Sequence, residues 1–189
     1  MNIREQMIEQ LNQFAANGPQ HVEAGEQDSP EPGYLVGVLS ETNEGVGASL
    51  DLADYDRFSV ALRHLDVFDK QANIEADEVK AFLQKNAETI VEKLTYLEEP
   101  LELLELDPTE GVAMMRSNPP MSKADESEVT YWEVLLRTSP HPNVNLTRYH
   151  WTANEGDRTI AAYPATFTML GRIAEDLVAG LTQPVSDED

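Results

Sequence analysis

Apolar side chains in residues 2–16 fall at Ile3, Met7, Leu11 and Phe14, steps of three and four that line one side of a helix, and Asn17-Gly18-Pro19 ends it. Residues 19–33 then mix proline, glycine and acids with hardly an apolar group, the pattern of a flexible linker. Together these predict a peripheral helix over residues 1–18, free to dock at a distance or on another subunit. The run Tyr34-Leu35-Val36-Gly37-Val38-Leu39 predicts a short strand, which its glycine weakens. Gly45-Val46-Gly47-Ala48-Ser49 reads as a flexible turn. It lacks the spacing and the Lys-Ser/Thr pair of a phosphate loop, and Glu41, Glu44 and Asp51 surround it.

Residues 54–68 carry Phe58, Ala61, Leu62, Leu65 and Phe68 at helical spacing, with Asp54 or Asp56 placed to cap the N-terminus. A second helix is expected over 75–97, through Val79, Phe82, Leu83, Ala87, Ile90, Val91, Leu94 and Leu97, so the two should form a hairpin. After Pro100 the period changes to two. Strands are expected over 101–106, 112–117, 130–138, 144–151 and 158–163, separated by turns at 107–111, 139–143 and 154–157. Phe167, Leu170, Ile173, Ala174, Leu177, Val178 and Leu181 mark a last helix over 165–181. The fold class is therefore α+β: N-terminal helices, including a helix hairpin, packed with a C-terminal antiparallel meander of four to five strands and a closing helix. Residues 34–182 should form one domain, followed by an acidic tail at 183–189.

The junction Phe68-Asp69-Lys70-Gln71-Ala72-Asn73-Ile74-Glu75-Ala76-Asp77-Glu78-Val79 locally resembles the loop and exiting helix of an EF-hand. Asp69 could open such a loop and Glu78 close it around Ile74. The span is ten residues rather than the motif's twelve, Gln71 stands at the third position, and the turn glycine is missing. No metal ligand is assigned on this resemblance.

Charge narrows the partners more than it names a function. Across 189 residues, 35 acids oppose 13 bases, a formal charge of -22. Residues 1–100 hold 20 acids and 7 bases and the remainder 15 and 6, so the acidity is spread along the chain. Such a field opposes direct binding to nucleic acid or to an anionic membrane surface and favours basic protein patches. A lineage-wide surface style and a carboxylate mimic of nucleic acid are both compatible with it. The 41% hydrophobic content supports a buried core, no apolar run is long enough to span a bilayer, and the first residues are too polar for a signal peptide. There is no cysteine, which fits the reducing cytoplasm.

Catalytic signatures are lacking. His21, His64, His141 and His150 have no metal-ligand spacing, no Gly-x-Ser-x-Gly elbow occurs, and the carboxylates are too many to single out a pair. No catalytic residue, metal ligand or cofactor is assigned. The most unusual local composition lies in the third, fourth and fifth C-terminal strands. With the proline-rich turn centred near His141, Trp132 should face His150, Val134 face Arg148, and Tyr131 meet Trp151 on the other side. Trp132, Arg148, His150 and Trp151 are thus the candidate ligand-binding residues, able to hold an anionic or aromatic group through hydrogen bonds and cation-π contact. The alternative is edge packing, with arginine stems over rings and heads in solvent. The expected function is that of a non-catalytic bacterial accessory protein that binds a protein partner or self-associates, of assembly, chaperone-like or regulatory type. A small-ligand or enzymatic domain and a nucleic-acid mimic are the alternatives.

Overall fold

The computed structural model describes residues 1–18, 32–122 and 127–182. Nearly all of the expected linker and the whole acidic tail lie outside them. Helix α1 (Ile3–Asn17) is followed by strands β1 (Tyr34–Leu39), β2 (Val46–Tyr55) and β3 (Ser59–Asp69), helix α2 (Val79–Lys93), strands β4 (Leu101–Asp107), β5 (Val112–Ser117), β6 (Met121–Ser122), β7 (Glu128–Arg137), β8 (Asn143–Thr152), β9 (Arg158–Ile160) and β10 (Tyr163–Thr166), and helix α3 (Phe167–Leu181). The strands form one antiparallel sheet in the order β1-β2-β3-β8-β7-β5-β4, with β10 on β3, β6 on β7 and β9 on β8. The class is α+β, as its periodicities imply.

The helix expected over residues 54–68 is instead the end of β2, its turn and β3, so no helix hairpin forms. The reason is a pair of bulges. Asp51 pairs with His64 but Leu52 pairs with Leu62, leaving Arg63 as an extra residue, and Ala53 is skipped in the same way on β2. An extra residue re-aims a strand, so the inward side chains Val60, Leu62, Leu65 and Val67 include one step of three. That step, read with Phe58 and Phe68, imitates a helical stripe. Asp56 does cap, but it caps the β-turn: its Oδ1 accepts from the backbone of Phe58 and Ser59 at 2.7 Å each. The glycine-rich segment at 45–49, expected as a turn, opens β2.

α1 begins with a capping box. Asn2 Oδ1 accepts from Glu5 N and Glu5 Oε2 accepts from Asn2 N. Its apolar stripe, Ile3, Met7, Leu11 and Phe14, lies in the same core as the sheet, so the helix expected at the periphery is packed against the rest. Phe14 closes an aromatic trio with Tyr34 of β1 and Tyr55 of β2, ring centroids 4.5 to 5.5 Å apart.

α3, capped by Thr166, lies between α1 and α2. Two small residues allow this closeness. A Cβ on Gly171 would stand 2.9 Å from the Arg4 carbonyl, and one on Gly180 would stand 2.4 Å from Ile90. The three helices cover the sheet face that carries Leu50, Leu65, Val67, Met115, Val134, Leu136, Val144 and Leu146, all fully buried. Each such side chain contributes about 1.5–3 kcal/mol by leaving water. Among the described residues, no helix is long and apolar enough to cross a membrane.

Candidate functional site

The β7–β8 hairpin carries the four residues singled out from sequence. Its last pair is Arg137 with Asn143, so the loop is 138–142 and centres on Pro140. The register is therefore shifted by two from one centred on His141: Trp132 faces Arg148, Thr130 faces His150 and Val129 faces Trp151. Side-chain alternation is unchanged by an even shift, so Trp132, Arg148 and His150 share the helix-facing side and Trp151 lies opposite. Only Trp132 and Arg148 come together. His150 Nε2 stands 3.7 Å from Glu128 Oε2, and Trp151 Nε1 donates to the Gly156 carbonyl at 3.2 Å.

Arg148 does not snorkel to solvent. It is 6% exposed, its guanidinium 5.1 Å from the Trp132 ring centre and 5.3 Å from that of Tyr163. Nη2 donates to Glu99 Oε1 at 2.9 Å, and Nη1 lies 2.8 Å from Glu98 Oε2. Burial pushes the Glu99 carboxyl up from its usual range and Glu98 adds to this, while Arg148 opposes it. Its Oε2 and the Trp132 indole N–H have no hydrogen-bond partner among the described residues. This cluster of two carboxylates and one guanidinium fastens the α2–β4 connection to the sheet.

The opposite face of the same strands carries the reverse ratio. Glu133, 3% exposed, accepts on one oxygen, Oε2, from Arg116 Nη2 at 2.6 Å and Arg158 Nη1 at 2.7 Å. Arg116 lies over Tyr131 at 4.8 Å and Arg158 over Tyr149 at 4.0 Å, with the two tyrosine rings 5.8 Å apart. Next to Glu133 across the sheet is Thr147, then His64. Thr147 Oγ1 donates to Asn145 Oδ1 at 2.8 Å, and Asn145 Nδ2 donates to Asp66 Oδ1 at 3.0 Å. With its one proton committed, Thr147 Oγ1 accepts from His64 Nδ1–H at 2.7 Å, which fixes the ring with Nε2 turned away.

A third feature is the open edge at β1. Among the described residues, no strand pairs with its outer side. The strand holds no charge, its exposed Leu39 is 66% accessible, and a groove of about 620 Å³ is lined by residues 36–39, by one side of α1, and by Ala48 and Ser49 of β2 and Phe68 of β3. Lys70 is the one charged group among the described residues that line it. In the middle sits Gly37, whose missing Cβ would meet nothing within 4 Å. The fold itself does not require a glycine there.

In the EF-hand-like junction, Asp69 Oδ1 accepts from Gln71 N and Ala72 N at 3.0 and 3.1 Å, and Glu75 Oε1 accepts from Asn73 Nδ2. Those carboxylates serve their own turn. No group of three or more His, Asp or Glu among the described residues is placed to hold a metal ion. The β1 groove was missed from sequence although its signal is there, an uncharged run interrupted by glycine in a chain dominated by acids. No known protein family, curated protein or solved structure matches this chain.

Proposed function

We propose that this protein is a non-catalytic accessory protein, of assembly, chaperone-like or regulatory type, that takes up an extended segment of a partner protein as a new strand beside β1. The observation that carries the reading is the glycine-centred, charge-free edge with the groove that it helps to line. An unpaired strand edge is a template for another backbone, and proteins ordinarily guard such edges with charge, bulges or cover. Glycine within a strand marks a place where another backbone comes close. Main-chain bonds supply the affinity in this mode and alternate side chains supply the choice of partner. The rest of the surface, at -22 overall, turns away acidic segments and phosphate backbones, so the segment should be apolar with neutral or basic flanks. Absence of cysteine suits work in a reducing cytoplasm.

The test is affinity capture from native lysate with three baits: the wild-type chain, Gly37→Lys, and Leu104→Lys on the far edge. A partner held by wild type and by Leu104→Lys but lost from Gly37→Lys supports the reading. Capture that ignores Gly37→Lys removes β1 as the docking edge.

A further inference from the structure

Two arginines converge on one buried carboxylate of the uncovered sheet face. Arg116 and Arg158 both reach the buried Glu133. Arg116 also has Glu102 across from it on β4, a carboxylate that accepts from Asn118 Nδ2, whereas Arg158 has only the shared Glu133 within ion-pair distance among the described residues. Both guanidiniums lie over tyrosine rings, which limits their rotamers before anything binds. Arg158 remains 43% exposed on its side chain. Among the described residues, its Nε and Nη2 have no hydrogen-bond partner, and Arg116 Nε is buried without one. Tyr131 and Glu133 as hydrogen-bond partners hold the Arg158 charge firmly, and burial pushes the Tyr149 phenol up, so it stays neutral beside that charge. Across from Arg158 is Trp151, and across from Tyr149 is Ile160, an exposed apolar side chain.

We propose that Arg116 and Arg158, with Tyr149, Trp151 and Ile160 beside them, form a binding site for a small organic carboxylate with an aromatic or branched apolar body. A single negative charge suits Arg158, whose Nε and Nη2 are open among the described residues and whose carboxylate partner, Glu133, is shared with Arg116. A carboxylate matches the planar donor fork of a guanidinium, and the rings and Ile160 give the organic part an apolar rest. This site stands apart from the β1 edge and does not depend on the reading of that edge. It also differs from the surface expected from sequence, because Trp132 and Arg148 are spent inside the core.

The experiment is a titration of the full chain with sodium benzoate, acetate and phosphate at constant ionic strength, followed by amide and indole chemical shifts. Benzoate should give saturable shifts centred on Tyr131, Tyr149, Trp151 and Arg158. Acetate should act at the same residues more weakly, and phosphate no more than chloride. Arg158→Gln should weaken benzoate by about tenfold or more, as expected for losing a charge-assisted pair. Glu133→Gln should tighten it, since the site then loses its buried negative charge, and a purely structural cluster gives no reason for such a gain. Arg57→Gln, a change at an exposed arginine over Phe58, should leave it unaltered. Should Glu133→Gln fail to fold, the exposed Arg158→Gln carries the test alone. Absence of saturable shifts, equal loss in Arg57→Gln, or a response to phosphate with benzoate silent would each overturn the proposal.

Discussion

The two edges of the sheet are built to opposite rules. β4 presents Glu102, Glu105 and Asp107, and its pairing with β5 skips Leu104, so the edge is both charged and bulged. Both devices discourage another strand from adding there. β1 has neither: its register with β2 is unbroken from Tyr34 to Leu39, and it carries no charged side chain. Their anchoring differs as well. β1 is steadied by the Phe14–Tyr34–Tyr55 trio under α1, whereas the approach to β4 is tied down by the buried Arg148 and its two glutamates. A chain with this much acid to place has left one edge without it, and that contrast is the basis for assigning the docking role to β1.

The contrast can be broken first at its anchors. Phe14→Ala should cost about 3–5 kcal/mol of unfolding free energy, the usual range for emptying a buried aromatic site, and the loss should be nearly independent of salt. Arg148→Ala should cost about 3 kcal/mol, because it leaves Glu99 buried without its partner. Denaturant melts of both variants at two salt concentrations check the ranking. A smaller effect is sharper in kind. The Glu99 carboxyl is raised above 4.5, so the folded state holds its proton more tightly than the unfolded chain does. Its contribution is then fully present below pH 4.5 and is lost as pH rises through the raised folded value. The stability difference between wild type and Glu99→Gln should therefore shift against wild type from pH 4 to neutrality; a flat difference would show that burial does not control this group. Smallest of all, Leu104→Lys and Gly37→Lys should each alter stability by no more than about 0.5 kcal/mol, as for ordinary exposed positions. Thermal melts decide this, and the result matters because only unperturbed folds make the capture comparison meaningful.

Much of this architecture is legible in the chain, and the exceptions have physical causes. From Pro100 onward the expected strands match β4, β5, β7, β8 and β9 to within a few residues, and the closing helix matches α3, because one wetted face keeps period two clear and turn chemistry marks the ends. β3 failed because bulges break the alternation on which that reading depends. The α1 stripe was read correctly, but its destination was not, since periodicity says which face is apolar and not what covers it. For the candidate site, Trp132 and Arg148 were rightly placed on one face, yet burial was invisible: the acids that consume Arg148 come from Glu98 and Glu99, far away in sequence. Glu133 stands out in the sequence as an acid set between Tyr131-Trp132 and Val134-Leu135-Leu136. Its pairing with Arg116 and Arg158 depends on the order of β5, β7, β8 and β9, which no local pattern states.

Hydrogen exchange on the captured complex tests the docking account most directly. With partner bound, the amides of Tyr34–Leu39 should exchange more slowly than in the free chain, while those of Leu101–Asp107 stay as they were. Unchanged exchange along β1 with protection appearing along β4 or over the helices would contradict the assignment of β1 as the receiving edge.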